Sequence, residues 1–184
     1  FEIDDSDQLK LQSTASADFE TKSTYNVTVI ATGTDGLSVD QSFTLSVTDV
    51  NEAPSVVSPL GDQVFYPAIT GSGSTYDTIA SFSDVDGDVL SYSAALKSAA
   101  DEDLPLPSWL SMGSGDGVLT GTPDNILHGT YEISVTATDL GGLSVTDSFS
   151  LVVNPALTFT TTSVNENAPG AVVGTVQLKG DNIP

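Results

Sequence analysis

The chain has 184 residues, enough for one or two domains with apolar cores, and carries 25 Asp and Glu against four Lys and no Arg, a net charge of -21. That balance excludes nucleic acid, whose phosphates need clusters of Lys and Arg, and argues against an anionic membrane surface; no apolar run approaches the ~20 residues of a membrane span. With no cysteine there is neither disulfide staple nor thiol chemistry, so a protein working outside the cell needs another stiffener, and the acidic excess favours a cationic one.

In chain order, Phe1-Glu2-Ile3 starts in mid-pattern, as an excerpt from something longer would, and no signal peptide is visible. Short extended pieces at Phe1–Ile3 and Leu9–Leu11 lead to Tyr25-Asn-Val27-Thr-Val29-Ile-Ala31, a strand with one apolar face. Asp35-Gly36 makes a turn, and Val39, Phe43, Leu45 and Val47 mark the returning strand of a hairpin. Short strands follow at Val64–Tyr66, Thr78–Phe82, Val89–Ser93 and Val118–Thr122, with a flexible loop at Gly71–Ser74 and one helical turn allowed at Ala94–Ala100. Leu104 to Leu110 is kinked by prolines, and its Trp109 is expected to plug the core. At Tyr131 the hairpin recurs: twelve of the 23 positions from Tyr25 to Val47 are identical to those from Tyr131 to Val153, beyond what shared β composition gives. Repetition at this period implies sandwich modules in a string. Thr158–Val164 and Ala171–Leu178 read as the two opening strands of a further module.

The reading is therefore all-β: tandem β-sandwiches of Greek-key topology. Residues 1–54 are the closing segment of one module, 55–155 a whole one and 156–184 the opening of a third. Val29, Phe43, Phe82, Trp109, Val135 and Phe149 are expected in cores.

Carboxylates cluster where strands end. Asp84-Val-Asp86-Gly87-Asp88 sets three of them at i, i+2 and i+4 around a glycine bend, like the first half of an EF-hand loop. The likeness stops there, because the twelfth position is Ala95 and helical patterns are missing. Carboxylates ~5 Å apart repel by about 3 kcal/mol per pair at an effective dielectric near 20, and a divalent ion between them removes that cost. Asp18-Phe-Glu20 is a second acidic pair just before a strand. Asp49-Val-Asn51-Glu52-Ala-Pro54 packs oxygen donors onto a stiff connector, suiting Ca²⁺ and its six to eight oxygens; a solvated polar linker is the competing reading. Asp139 caps a strand of the second hairpin, where the first has Gly33. His128 is the single histidine, sits in a turn and has no nucleophile pattern beside it, so an enzyme is not expected. Asn26-Val-Thr28, a glycosylation sequon inside a strand, reads as incidental.

Together these motifs resemble cadherin repeats: Asp49-x-Asn51-Glu52-x-Pro54 after a terminal strand, Asp18-x-Glu20 before Tyr25-x-Val27-x-Val29, and Asn165-Glu166-Asn167 early in a module. The spelling Asp-Val-Asn-Glu-Ala-Pro is similar to that of bacterial cadherin-like adhesins. Residues 55–155 look more like the dystroglycan-type cadherin-like module, also named an Ig module. They carry Phe82-Ser-Asp-Val-Asp-Gly-Asp-x-Leu-Ser-Tyr92, Leu106-Pro-x-Trp-Leu110, Leu119-Thr-Gly-Thr-Pro123 and Tyr131-x-Ile-x-Val-x-Ala-Thr-Asp139.

The resemblance implies calcium at the junction of successive modules. Asp18, Glu20, Asn51 and Glu52 would supply oxygens from one side, with the Val50 carbonyl. Asp84, Asp86 and Asp139 would come from the other, and Asp49 and Asp88 match more loosely. Glu166 would serve a further junction. Val153-Asn154-Pro155-Ala156 has no acid, so no calcium is expected there. The implied function is a calcium-stiffened adhesin or fibre segment, secreted or on a bacterial cell surface, partnered by neighbouring copies or repeats. It could assemble head to tail, the tail's opening strands completing a head's sandwich. The alternative is a calcium-dependent module that binds surface polysaccharide within a secreted polysaccharide-active protein, with Tyr66, Tyr76 and Tyr92 as candidate platform residues.

Overall fold

Both copies of the alternating pattern pair as the period demands. The computed structural model describes residues 1–67, 73–123, 128–155 and 170, and by their backbone 157–159 and 176–178. The chain divides into two units, Phe1–Glu52 and Ala53–Pro184.

In the first unit, β1 (Glu2–Ile3) pairs antiparallel with β2 (Leu9–Lys10). The turn between them is wrapped on Asp4, whose Oδ1 accepts the amides of Ser6 at 2.9 Å and Gln8 at 3.0 Å. β3 (Thr24–Thr32) and β4 (Ser38–Ser46) form the hairpin, in register from Thr24↔Ser46 to Thr32↔Ser38. Gly36, at φ 81°, takes the left-handed position that Asp-Gly turns require. The pairs Tyr25↔Leu45, Val27↔Phe43 and Ala31↔Val39 set apolar residues on one face. The opposite face is polar, with hydroxyl pairs Thr28–Ser42 at 2.7 Å and Thr32–Ser38 at 2.8 Å. Phe1 meets Tyr25 edge-on at 5.6 Å, and Ile3 and Leu9 border a groove of about 230 Å³ with Val27 and Val29.

Cover from two two-residue strands is incomplete. Val29 is half-buried, and Phe43, expected in the core, remains 39% exposed. Alternation correctly assigns its side of the hairpin, but the unit supplies no opposing sheet deep enough to cover it.

The second unit runs β5 (Ser55–Val56), β6 (Gln63–Phe65), β7 (Ser74–Asp77), β8 (Phe82–Ser83), β9 (Ser91–Lys97), β10 (Asp103–Leu104), β11 (Leu110–Met112) and β12 (Val118–Gly121). It continues with β13 (Gly129–Thr138), β14 (Ser144–Val153), β15 (Leu157–Phe159) and β16 (Val176–Leu178). A five-stranded sheet in the order β10-β9-β13-β14-β6 is accompanied by a three-stranded sheet β11-β12-β7 and by the pairs β5-β8 and β15-β16. All neighbours are antiparallel except β6, which runs parallel to β14. Between the sheets lie Leu119, Ile133, Val135, Ala137 and Leu151, all fully buried, with Phe65, Phe82 and Phe149. Each large side chain removed from water contributes about 2 kcal/mol before entropy is counted. Gly121 is small by necessity, because a Cβ there would lie 2.6 Å from the Phe65 ring.

Three local expectations change. Trp109 is half-buried and packs edge-on to Tyr131 at 5.4 Å on the rim of the core, rather than plugging its centre. Ala94–Lys97 continues β9, and the turn comes afterwards, closed by the Asp101 amide donating to the Ser98 carbonyl at 2.9 Å. Ile79–Ser81 is a 3₁₀ turn instead of a strand, because the buried Thr78 hydroxyl donates to the Gly117 carbonyl at 2.7 Å and pins the chain there. Of the expected flexible loop, residues 71 and 72 lie outside the described residues, while Ser74 begins β7.

Candidate metal centre

The acidic loop of the second unit connects β8 to β9. Asp84 organises it: its Oδ1 accepts the Asp86 amide at 2.9 Å and the Asp88 amide at 3.4 Å, while Gly87 turns the chain at φ 79°. This use of one carboxylate oxygen leaves the other facing inward. Asp84 Oδ2 is buried and has no hydrogen-bond partner. An ionised oxygen in that state is costly unless a cation accompanies it.

Asp139 arrives from another element. Ser91 pairs with Thr138, so the residue after β13 stands beside the loop that precedes β9. Asp139 is 6% exposed; its Oδ1 accepts the Leu143 amide at 2.8 Å. The Leu140 amide donates to Asp88 Oδ2 at 3.4 Å and ties the two segments together. Asp84, Asp86, Asp88 and Asp139 thus gather at one end of the sandwich, the first three half-buried. Beside them is a cleft of about 350 Å³, walled by Ile79, Phe82, Leu90 and Tyr92.

In the first unit, Glu20, Asp49 and Glu52 each offer a carboxylate oxygen within 4.8 Å of the others, all exposed. Asp49, the looser match by motif, is in this group. Asp18 is used locally: it accepts the Thr21 amide at 3.0 Å and the Thr21 hydroxyl at 2.8 Å. The Thr21 amide first, then its hydroxyl, hold the Asp18 carboxyl below the usual carboxylate range, against a small opposing effect of burial. Asn51 is exposed and donates through Nδ2 to the Glu52 carbonyl at 3.2 Å. Glu166 lies outside the described residues.

Hydrogen bonding by Thr21 and the Leu140–Asp88 link were not read from the motifs. A Thr three residues after Asp is a recognisable local signal, whereas the second contact spans 52 residues. The three tyrosines do not make one aromatic platform. Tyr66 is 61% exposed, but Tyr92 is buried against Phe82 and Tyr76 lies edge-on to Phe149 at 5.1 Å. His128 is exposed.

Residues 53–154 match the family described as Putative Ig domain. The chain belongs to that family. It is also similar to human protocadherin gamma-A9, 30% identical over 175 residues covering 91% of this chain and 18% of the relative. Chimpanzee protocadherin gamma-A10 is 32% identical over 161 residues, covering 83% and 16%. The chain therefore spans less than a fifth of the length of these curated relatives. Among solved structures, extracellular cadherin domains 3-6 of protocadherin gamma B2 align with TM-score 0.56 and 22% identity over 83% of this chain and 39% of theirs. Domains 1-2 of human mucin-like protocadherin align with TM-score 0.53 and 21% identity over 80% and 78%. The Ig-family sandwich thus has the fold of cadherin domains. Among the described residues, no helix is long and apolar enough to cross a membrane.

Proposed function

We propose that this chain is a calcium-rigidified segment of a long extracellular adhesin or fibre, with a structural and adhesive role and no catalysis. The carrying observation is Asp84 Oδ2, buried without a hydrogen-bond partner among Asp86, Asp88 and Asp139. The donor set is entirely oxygen, as calcium prefers. Asp84, Asp86, Asp88 and Asp139 would bind from the second unit. Glu20, Asp49 and Glu52 would bind from the first, with Asp18 and Asn51, and Glu166 would act at a further junction. The cation would supply charge neutralisation and stiffness. Asn154-Pro155, without a carboxylate, is read as a calcium-free junction. The family and the protocadherin likeness support a surface location, and the Asp49–Pro54 spelling favours a bacterial one. Neighbouring copies or repeats are the partners, joined head to tail. Polysaccharide binding has no comparable support, with Tyr76 and Tyr92 turned into the core.

Calorimetric titration of the full chain is expected to show calcium binding at 10⁻⁴–10⁻³ M, the range of extracellular modules. Asp84→Asn keeps an oxygen for the loop amides but removes the charge, and should weaken binding about tenfold while the circular dichroism spectrum stays unchanged. Small-angle scattering with calcium and then with EGTA checks the stiffening: the maximum dimension should become more broadly distributed on chelation. Identical profiles would refute it.

A further inference from the structure

Three Asp-Gly pairs occur in the chain, Asp35-Gly36, Asp86-Gly87 and Asp116-Gly117. Glycine puts no side chain in the way of its own nitrogen, so an aspartyl carboxyl before it is the one most open to attack by the main chain. The first and third pairs sit in turns of the same construction. Asp35 Oδ1 accepts the Leu37 amide at 3.1 Å, and Asp116 Oδ1 accepts the Val118 amide at 3.1 Å. The Gly36 amide donates to the Gly33 carbonyl at 3.0 Å, and the Gly117 amide to the Gly113 carbonyl at 3.1 Å. In both turns the carboxyl is folded back so closely that a Cβ on Gly33 or Gly113 would collide with it. Asp86-Gly87 differs, since Asp86 is half-buried and its carboxyl belongs to the candidate metal centre.

The two matching turns have different surroundings. Gly36 is exposed, with no atom within 4 Å of where a Cβ would stand. Gly117 is buried, and its carbonyl accepts both the Thr78 amide at 3.0 Å and the Thr78 hydroxyl at 2.7 Å. A Cβ there would meet the Tyr92 ring at 3.3 Å, and the Tyr92 amide in turn donates to the Ser114 carbonyl at 2.8 Å. The exposure of Asp35-Gly36 belongs to the hairpin tip itself. In the second unit, where the hairpin is covered, the matching Gly141 and Gly142 are exposed as well. Such tips open locally at little cost, whereas a buried turn opens only with much of the fold around it.

We propose that Asp35-Gly36 is a site of spontaneous isoaspartate formation, and that Asp116-Gly117, alike in its turn, is protected by the fold. When the tip opens, the Gly36 nitrogen leaves the Gly33 carbonyl and attacks Cγ of Asp35. An N–Cγ bond forms and a Cγ–O bond breaks; the oxygen departs as water, with the amide proton and one proton from solvent. The product is a five-membered imide, to which water then adds back. Cleavage of the new N–Cγ bond restores aspartate. Cleavage of the original bond, between the Gly36 nitrogen and the Asp35 main-chain carbonyl carbon, leaves the chain running through Cγ, one methylene longer, with a free α-carboxylate. Mass is unchanged and nothing is oxidised or reduced. The added length falls beyond the ladder, which ends at Thr32↔Ser38, so the hairpin survives with a loosened closure between the Gly33 amide and the Leu37 carbonyl, now 2.7 Å. The modification is independent of calcium and of assembly.

Prolonged warm incubation of the full chain tests this, followed by proteolysis and electron-transfer fragmentation, which distinguishes isoaspartate from aspartate at each site. Asp35 should convert about tenfold faster than Asp116 or more, because two hydrogen bonds to the Gly117 carbonyl must break before that turn can open. In urea the two rates should converge, since the same dipeptide then meets the same solvent. Asp35→Glu, whose ring would need a sixth member, should abolish conversion at that position and leave Asp116 unchanged, with circular dichroism reporting that the variant is folded. Equal conversion of the two sites in the folded chain, a gap that persists in urea, or conversion of Asp35 in urea alone would overturn the proposal.

Discussion

At the scale of single residues, Asp84 and Asp18 show how a carboxylate can be committed before any ion arrives. Each uses an oxygen to fasten its own turn, Asp84 on the Asp86 and Asp88 amides and Asp18 on Thr21. For Asp18 this has a consequence for pH. A carboxyl held below its usual range stabilises the fold fully above its unfolded value, and that contribution is lost as pH falls through the lowered folded value. Thr21→Val removes the hydroxyl bond but leaves the backbone bond, the larger cause. The Asp18 pKa should therefore rise only some of the way to normal, as a carbon-13 titration of its carboxyl would show. At neutral pH its charge is unchanged, so calcium affinity should alter little. The alternating acids of the Asp84 loop were legible in the sequence because turn chemistry is local. Which oxygen would be left buried and unpartnered depends on the rest of the sandwich and was not.

At the scale of elements, both hairpins and the apolar side of each were legible, since period-2 alternation and the turn residues mark them. What seals a face lies elsewhere in the chain. Alternation gave Phe43 and Phe149 the same side of the same motif, yet only Phe149 has a second sheet over it. Truncation should report that difference. Phe149→Ala is expected to destabilise the second unit by about 3–5 kcal/mol, the usual cost of emptying a packed aromatic site. Phe43→Ala should cost about 1 kcal/mol or less in the first unit, since less area leaves contact. Urea unfolding followed by circular dichroism separates the two. Trp109 and the Ile79–Ser81 turn were misplaced for a related reason: the Tyr131 ring and the Gly117 carbonyl that position them are distant in sequence.

At the scale of the molecule, the proposed function is that of an extracellular segment that spans distance. Its strand directions also decide how it bears load. Pulled between its two ends, the first unit's hairpin is strained where Thr24 faces Ser46, so its hydrogen bonds should break in succession, like a zipper. In the second unit β6 and β14 are parallel neighbours, Gln63–Phe65 against Leu151–Val153. Tension entering through β6 from its N-terminal side and leaving through β14 at its C-terminal side draws the two strands past each other along their length. The ladder is then sheared, and its bonds must fail together. Single-molecule extension of the chain should accordingly show a yielding first unit and a mechanically resistant second one, the stronger link lying where the load-bearing strands run in the same direction.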